Sequence, residues 1–285
     1  SDYTHTEFEH GNPGTVFDVT GTEGRVELVQ AERGGWSGSL GGQFGHSRFR
    51  VTGAEAFLPA NTNDTLALFA LQQLSFAPWQ VEFGGRWEHT AIDARDSVGV
   101  RRTFSTMSGA LGLSYDVIDR GRDTLRAGIN LSRAERAPSA QELFADGPHL
   151  ATRQYEVGDA TLSTEGSWGV EGYLRGKVAG VEASASVYRN RFDGFVYQAA
   201  TGAEVDGLAV YAFRQQNARQ MGVEGEISLP LVDRDALSLT AELKGDYVRA
   251  TLADGTPVPR LPPLSLGGAL AARLDHFDLR GEVEW

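Results

Sequence analysis

The sequence predicts an all-β protein, a transmembrane antiparallel up-and-down β-barrel present in part, with ~12 strands when alternating segments are counted. Three observations carry this reading. Apolar and polar residues alternate with period 2 from one end of the chain to the other, the connections alternate between short and long, and the strands run to about 10–14 residues, nearer to what a tilted membrane crossing needs than to the globular norm.

The N-terminal segments alternate weakly, and two strands there are poorly resolved by pattern. The stretch from Gln80 to Ile92 is clear: Val81, Phe83, Trp87 and Ala91 share one face, and Glu82, Arg86, Glu88 and Thr90 the other. The same split places Leu111, Leu113, Tyr115 and Val117 together, and Leu125, Ala127, Ile129 and Leu131 against Arg126, Asn130 and Ser132. It recurs with Trp168, Val170 and Leu174 against Glu171, Tyr173 and Arg175, and with Val223, Ile227 and Leu229 against Glu224, Glu226 and Ser228. Leu237 to Lys244 repeats it, and Phe277, Leu279, Val283 and Trp285 against Asp278, Arg280, Glu282 and Glu284 close the chain. Helical spacing fits none of these segments as well.

Short connections are expected near Ala31–Gly35, Ala77–Pro78, Asp116–Asp123, Lys177–Gly180, Leu231–Asp235 and Asp275–His276. Long ones are expected near Gly45–Asp64, Asp93–Thr103, Ala134–Glu165, Gln198–Tyr211 and Arg249–Pro263. In an up-and-down sheet, strict alternation puts all short turns at one end and all long loops at the other, as in outer-membrane barrels. Trp36, Trp79, Trp168, Phe277 and Trp285 lie near strand ends, where aromatic girdles form.

Composition narrows the function. The 285 residues contain 35 glycines, which suit turns and crowded strands, and no cysteine, which excludes disulfides, thiolate metal sites and a cysteine nucleophile. A net charge of −12 disfavours nucleic acid as a partner. No apolar run is long enough for a transmembrane helix, which leaves a strand-built membrane protein open. The chain starts within a strand-like pattern without a leader, so the expectation is a processed precursor or an excerpt. No nucleophile elbow, phosphate loop or zinc-protease motif occurs, so an enzyme is not expected.

Ser132–Phe144 (SRAERAPSAQELF) and Gly158–Arg175 (GDATLSTEGSWGVEGYLR) together resemble a strand-to-loop segment and its return strand in the TonB-dependent outer-membrane receptors. Ser186–Gln198 (SVYRNRFDGFVYQ) is similar to the element that follows. The resemblance implies a barrel of about 22 strands around a plug domain, an energising TonB complex, outer-membrane lipid as surroundings and transport of a small molecule or metal. No plug or TonB-binding box is recognisable, so residues 1–285 are expected to be a portion of such a barrel domain lacking plug and terminal strands.

Within the Ala134–Glu165 loop, Pro138 marks the end of strand pairing, and Arg136 and Glu142 are expected to pair across that corner as a structural entrance. His149 is the candidate ligand for transported zinc or haem, with Tyr155, Glu156 and Asp159 near enough in sequence to complete a site. His46 and His89, near the loop ends of their strands, could join His149 around a metal. No resident cofactor is expected. The function expected is uptake of a scarce nutrient, iron chelate, haem or metal; the alternatives are a passive porin-like channel and a soluble all-β binding module.

Overall fold

A computed structural model describes residues 1–9, 12–53, 56–149, 152–234, 237–261 and 264–285. Strands β1 (Asp2–Glu9), β2 (Asn12–Arg33), β3 (Trp36–Thr52), β4 (Asn61–Phe76) and β5 (Trp79–Ala94) follow one another. A single helical turn, α1 (Arg95–Val98), leads to β6 (Val100–Arg120) and β7 (Asp123–Arg136). The chain then forms α2 (Ala140–Phe144) and two short strands, β8 (Asp146–His149) and β9 (Gln154–Val157). It returns through β10 (Glu165–Val178), β11 (Val181–Val205), β12 (Leu208–Arg234), β13 (Leu237–Leu252), β14 (Leu264–Leu274) and β15 (Phe277–Glu284).

Apart from β8 and β9, each strand pairs antiparallel with its neighbours in chain order, β7 with β10 across the excursion, and β1 and β15 lie at the two edges. That makes 13 strands on the path, one more than the pattern count. The short turns sit where they are expected, at residues 34–35, 77–78, 121–122, 179–180 and 275–276.

Three expected long loops are instead largely strand. Asp93–Thr103 is the end of β5, the single turn α1 and the start of β6. Gln198–Tyr211 belongs to the β11–β12 hairpin, whose 25- and 27-residue strands turn over Asp206 and Gly207. Within the expected loop Gly45–Asp64, β3 continues to Thr52 and β4 begins at Asn61. The ladder therefore continues through Gly45–Thr52 and, with an interruption between Ala200 and Glu204, through Gln198–Tyr211, while outward positions such as His46, Arg48 and Arg50 are no longer apolar and the pattern fades.

The two faces differ as a membrane barrel requires. Leu40, Phe44, Leu66, Leu68, Phe83, Met107 and Leu111 are exposed on one face. Large apolar side chains exposed together on one face mark contact with lipid or protein. Residues of opposite parity form a polar ladder: Arg86 bonds to Glu88 and Gln43, Arg126 to Asp116 (2.6 Å) and Gln80 (2.9 Å), and Asn130 to Glu171 (3.1 Å). This second face is concave. Residues from β6 through β13, among them Asp116, Arg126, Lys177, Glu182, Glu226 and Glu242, line one hollow of about 830 Å³.

The concave face also uses glycine for close approach. The Tyr173 ring lies over Gly128, its partner across the β7–β10 ladder, in the space a β-carbon would occupy. Gly128→Val should therefore push the Tyr173 ring off the strand, at a cost of about 1 kcal/mol. The expected readout is a lower midpoint in urea unfolding from detergent, with Ile129→Val on the exposed face changing it far less.

Candidate ligand-binding site

The segment between β7 and β10 is folded rather than loose, and its local sequence explains why. Ser139 caps α2: its side chain accepts from the Glu142 backbone N–H at 3.2 Å, and the Glu142 carboxylate accepts from the Ser139 N–H at 2.7 Å. The same carboxylate receives Arg136 in a two-pronged contact of 2.8 and 3.0 Å. Arg136 also donates to Glu165 Oε2 at 3.0 Å, and that oxygen accepts the Val196 N–H at 2.7 Å.

One arginine thus joins the end of β7, the cap of α2, the start of β10 and the middle of β11. Burial works against its charge, but the Glu142 and Glu165 carboxylates outweigh that and raise its pKa further above the ordinary arginine value. Pro138 is fully buried beside this corner.

The corner aims α2 inward. Leu143 and Phe144 are buried with Ile92, Ala94, Phe104, Leu162 and Val196, and Phe57 and Leu58 of the 53–60 loop complete the cluster. Each such side chain contributes about 1.5–3 kcal/mol on burial, more than an exposed ion pair would, so packing holds this segment over the mouth. Gly158 is required where the chain passes α2, because a β-carbon there would meet the Phe144 backbone nitrogen at 2.6 Å.

His149 and Glu156 lie at the centre of the folded segment, facing each other across the β8–β9 hairpin. His149 Nδ1 and Glu156 Oε1 are 2.8 Å apart, and Gln141 Nε2 donates to Glu156 Oε2 at 2.6 Å. Glu156 is only 1% exposed, and the His149 ring stacks on Phe57 with centroids 4.3 Å apart. Burial pushes the Glu156 carboxyl up, but hydrogen bonds from His149, Gln141 and Gln198 overcome this and hold it below the usual carboxylate range.

Three further loops meet this pair. Asp146 N–H donates to the Phe57 carbonyl at 2.8 Å, β9 runs parallel beside Ala209–Ala212 of β12, and Arg260 donates to Gln154 (2.8 Å) and Gln198 (3.0 Å).

The other expected site residues have different surroundings. The Tyr155 hydroxyl donates to Asp146 at 3.1 Å, and burial followed by that carboxylate raises its pKa. The Asp159 carboxylate accepts from the Thr161 hydroxyl (2.6 Å) and N–H (2.8 Å), bonds that hold it below its ordinary range and bind it into a turn.

His46 and His89 do not join His149. They lie on the outward parity of β3 and β5, near Asp64 (2.6 Å) and Ser105 (3.0 Å) respectively. Among the described residues, no group of three histidine or acidic side chains converges as a metal-holding set. The parity they share with Phe44 and Trp87 is the signal that separates them from the mouth. Phe57, Gln141, Glu165, Gln198 and Arg260 were not legible as partners, because their contacts cross long sequence separations. Glu55 of the neighbouring loop lies outside the described residues.

The order of strands is one that known proteins share. The family described as TonB dependent receptor-like, beta-barrel, matches residues 1–284. The chain belongs to that family. Among solved structures, the receptor barrel superposes on the copper transporter OprC with a TM-score of 0.78 at 17% identity, covering 95% of this chain and 44% of that one. The Serratia marcescens hemophore receptor HasR, solved with its hemophore and heme, gives 0.66 at 13% identity, covering 94% and 53%. The Pseudomonas aeruginosa ferric enterobactin receptor PfeA gives 0.62 at 20% identity, covering 98% and 43%. The receptor barrel thus spans about half the length of these structures, and the likeness is one of fold.

Two outcomes follow for the receptor barrel. Arg136→Ala leaves Glu165, 11% exposed, without its cation, and should lower local stability of residues 137–164 by about 1.5–3 kcal/mol, read as faster limited proteolysis there with the strand core intact. Glu156, whose folded pKa is depressed, contributes stability that is complete above the unfolded value of about 4.3 and is lost as pH falls through the folded value. Hydrogen exchange in 146–157, corrected for intrinsic rate, should therefore be slow at neutral pH and accelerate only in that acidic window. In Glu156→Gln the acidic step should disappear.

Proposed function

We propose that this chain forms part of a bacterial outer-membrane receptor that takes up a scarce metal-bearing nutrient, zinc or haem, with energy transmitted by TonB. His149 is the group that meets the ligand. The observation that carries this reading is the His149–Glu156 pair, its carboxylate buried and its imidazole half-buried, held where β8 and β9 meet Phe57 and β12 beyond the loop ends of β7 and β10.

With Glu156 holding Nδ1–H, the lone pair of the imidazole lies on Nε2, the orientation that an outer-shell carboxylate gives a metal-binding histidine. Nε2 has no hydrogen-bond partner among the described residues. Glu156 then acts behind the ligand atom rather than as a ligand, and Tyr155, held by Asp146, stands beside it.

The test is uptake by cells producing the receptor. His149→Ala should reduce zinc or haem uptake by at least about tenfold, the lower end of what outer-shell losses alone cause. Unchanged uptake of both would remove His149 from ligand binding. Collapse of the proton-motive force should abolish uptake, whereas a passive channel would continue to conduct.

A further inference from the structure

Beyond the nutrient site, the outward face of β3 changes chemistry abruptly along its length. Leu40 and Phe44 are exposed and apolar, and the next outward positions on the same face are His46, Arg48 and Arg50. The parity is fixed independently by Phe49, which packs inward against the buried cluster, so Arg48 and Arg50 on either side of it point away from the lumen.

Neither arginine has an ion-pair partner among the described residues. Asp18 faces Arg50 in the ladder and Thr62 faces Arg48, but no ion pair forms with Asp18. The inward arginines Arg86 and Arg126 are, by contrast, paired with Glu88 and Asp116. Arg48 and Arg50 also line a hollow of about 260 Å³ together with Asn61, Thr62, Arg95 and the carboxylates of Asp93 and Asp96. Asp93 is already engaged by Arg95 (2.7 Å) and Arg101 (4.0 Å).

We propose that Arg48 and Arg50 form a binding site for the phosphate of an outer-leaflet lipid headgroup, with the acyl chains lying on Phe44, Leu66 and Leu68. This rests on the outer-membrane placement above. A planar guanidinium offers paired donors that fit phosphate oxygens, and a cation just beyond an apolar band meets headgroups rather than hydrocarbon. The apolar continuation on the same face favours a lipid over a free anion, because a soluble phosphate would gain nothing from Phe44 and its neighbours.

Native mass spectrometry of the detergent-released receptor separates the outcomes. Phosphorylated lipid A should be retained about tenfold more than its dephosphorylated form, and Arg48→Ala with Arg50→Ala should remove that preference. Arg48→Lys with Arg50→Lys, which keeps the charge but not the paired donors, should keep only part of it, and Arg122→Ala, in a turn at the opposite end, should leave it unchanged.

Equal retention by wild type and the double alanine variant, both showing heat-modifiable mobility, would overturn the proposal. So would competition by inorganic phosphate equal to that of lipid A, which would mark a site for free anions. A protein that never shows heat-modifiable mobility would instead overturn the membrane placement, so the two failures are distinguishable.

Discussion

Hydrocarbon offers no partner to a backbone N–H or carbonyl, and each group left unpaired there costs several kcal/mol. A chain that crosses a bilayer as strands must therefore pair every strand on both sides. The consecutive antiparallel order from β1 to β15 meets that demand for each strand between the edges. Pairing fixes the rest: with the ladders in register, every second side chain faces lipid and every other one faces the hollow. A one-residue slip would put Arg86 and Glu88 into the bilayer and Trp87 into the polar ladder. Leu66, Phe83 and Leu111 are exposed for the same reason that Arg126 and Asn130 are bonded.

The folded segment between β7 and β10 meets a different requirement. Outside the bilayer water can satisfy a backbone, so a loop of this length needs a reason to be ordered. Arg136 supplies the geometry by joining Glu142 and Glu165, and Leu143, Phe144 and Leu162 supply the burial. The His149–Glu156 pair inherits both. A buried carboxylate is tolerable only with its oxygens satisfied, and the imidazole and Gln141 that satisfy it come from the same segment.

What could be read in advance follows the same physics. Gln80 to Ile92 was transparent because lipid on one side and a polar hollow on the other impose opposite chemistry on adjacent residues. The short turns were transparent for a related reason, since the strands end there at the edge of the apolar band. Gly45 to Thr52 read as loop because its outward residues are His46, Arg48 and Arg50 while Phe49 points inward. Beyond the hydrocarbon the pattern inverts although the pairing continues. Gln198 to Tyr211 also read as loop, because Gly202, Asp206 and Gly207 give turn-like composition to a hairpin whose ladder is interrupted between Ala200 and Glu204.

Site residues divide along sequence distance. Arg136 and Glu142 are six positions apart and His149 and Glu156 seven, so their association was within reach of a sequence reading. Arg136 with Glu165, Arg260 with Gln154 and Phe57 with His149 depend on which loops meet over the mouth, which no local pattern states. Proximity in sequence also misled. Tyr155, Glu156 and Asp159 span five positions, yet one bonds to Asp146, one is buried beneath the imidazole and one closes a turn on Thr161. Of the five residues grouped around His149, only Glu156 bonds to it, and it does so on Nδ1. The carboxylate thereby becomes the group that orients the histidine, and under the proposed uptake role any further ligand atoms would come from the nutrient or from loops that meet His149 in space.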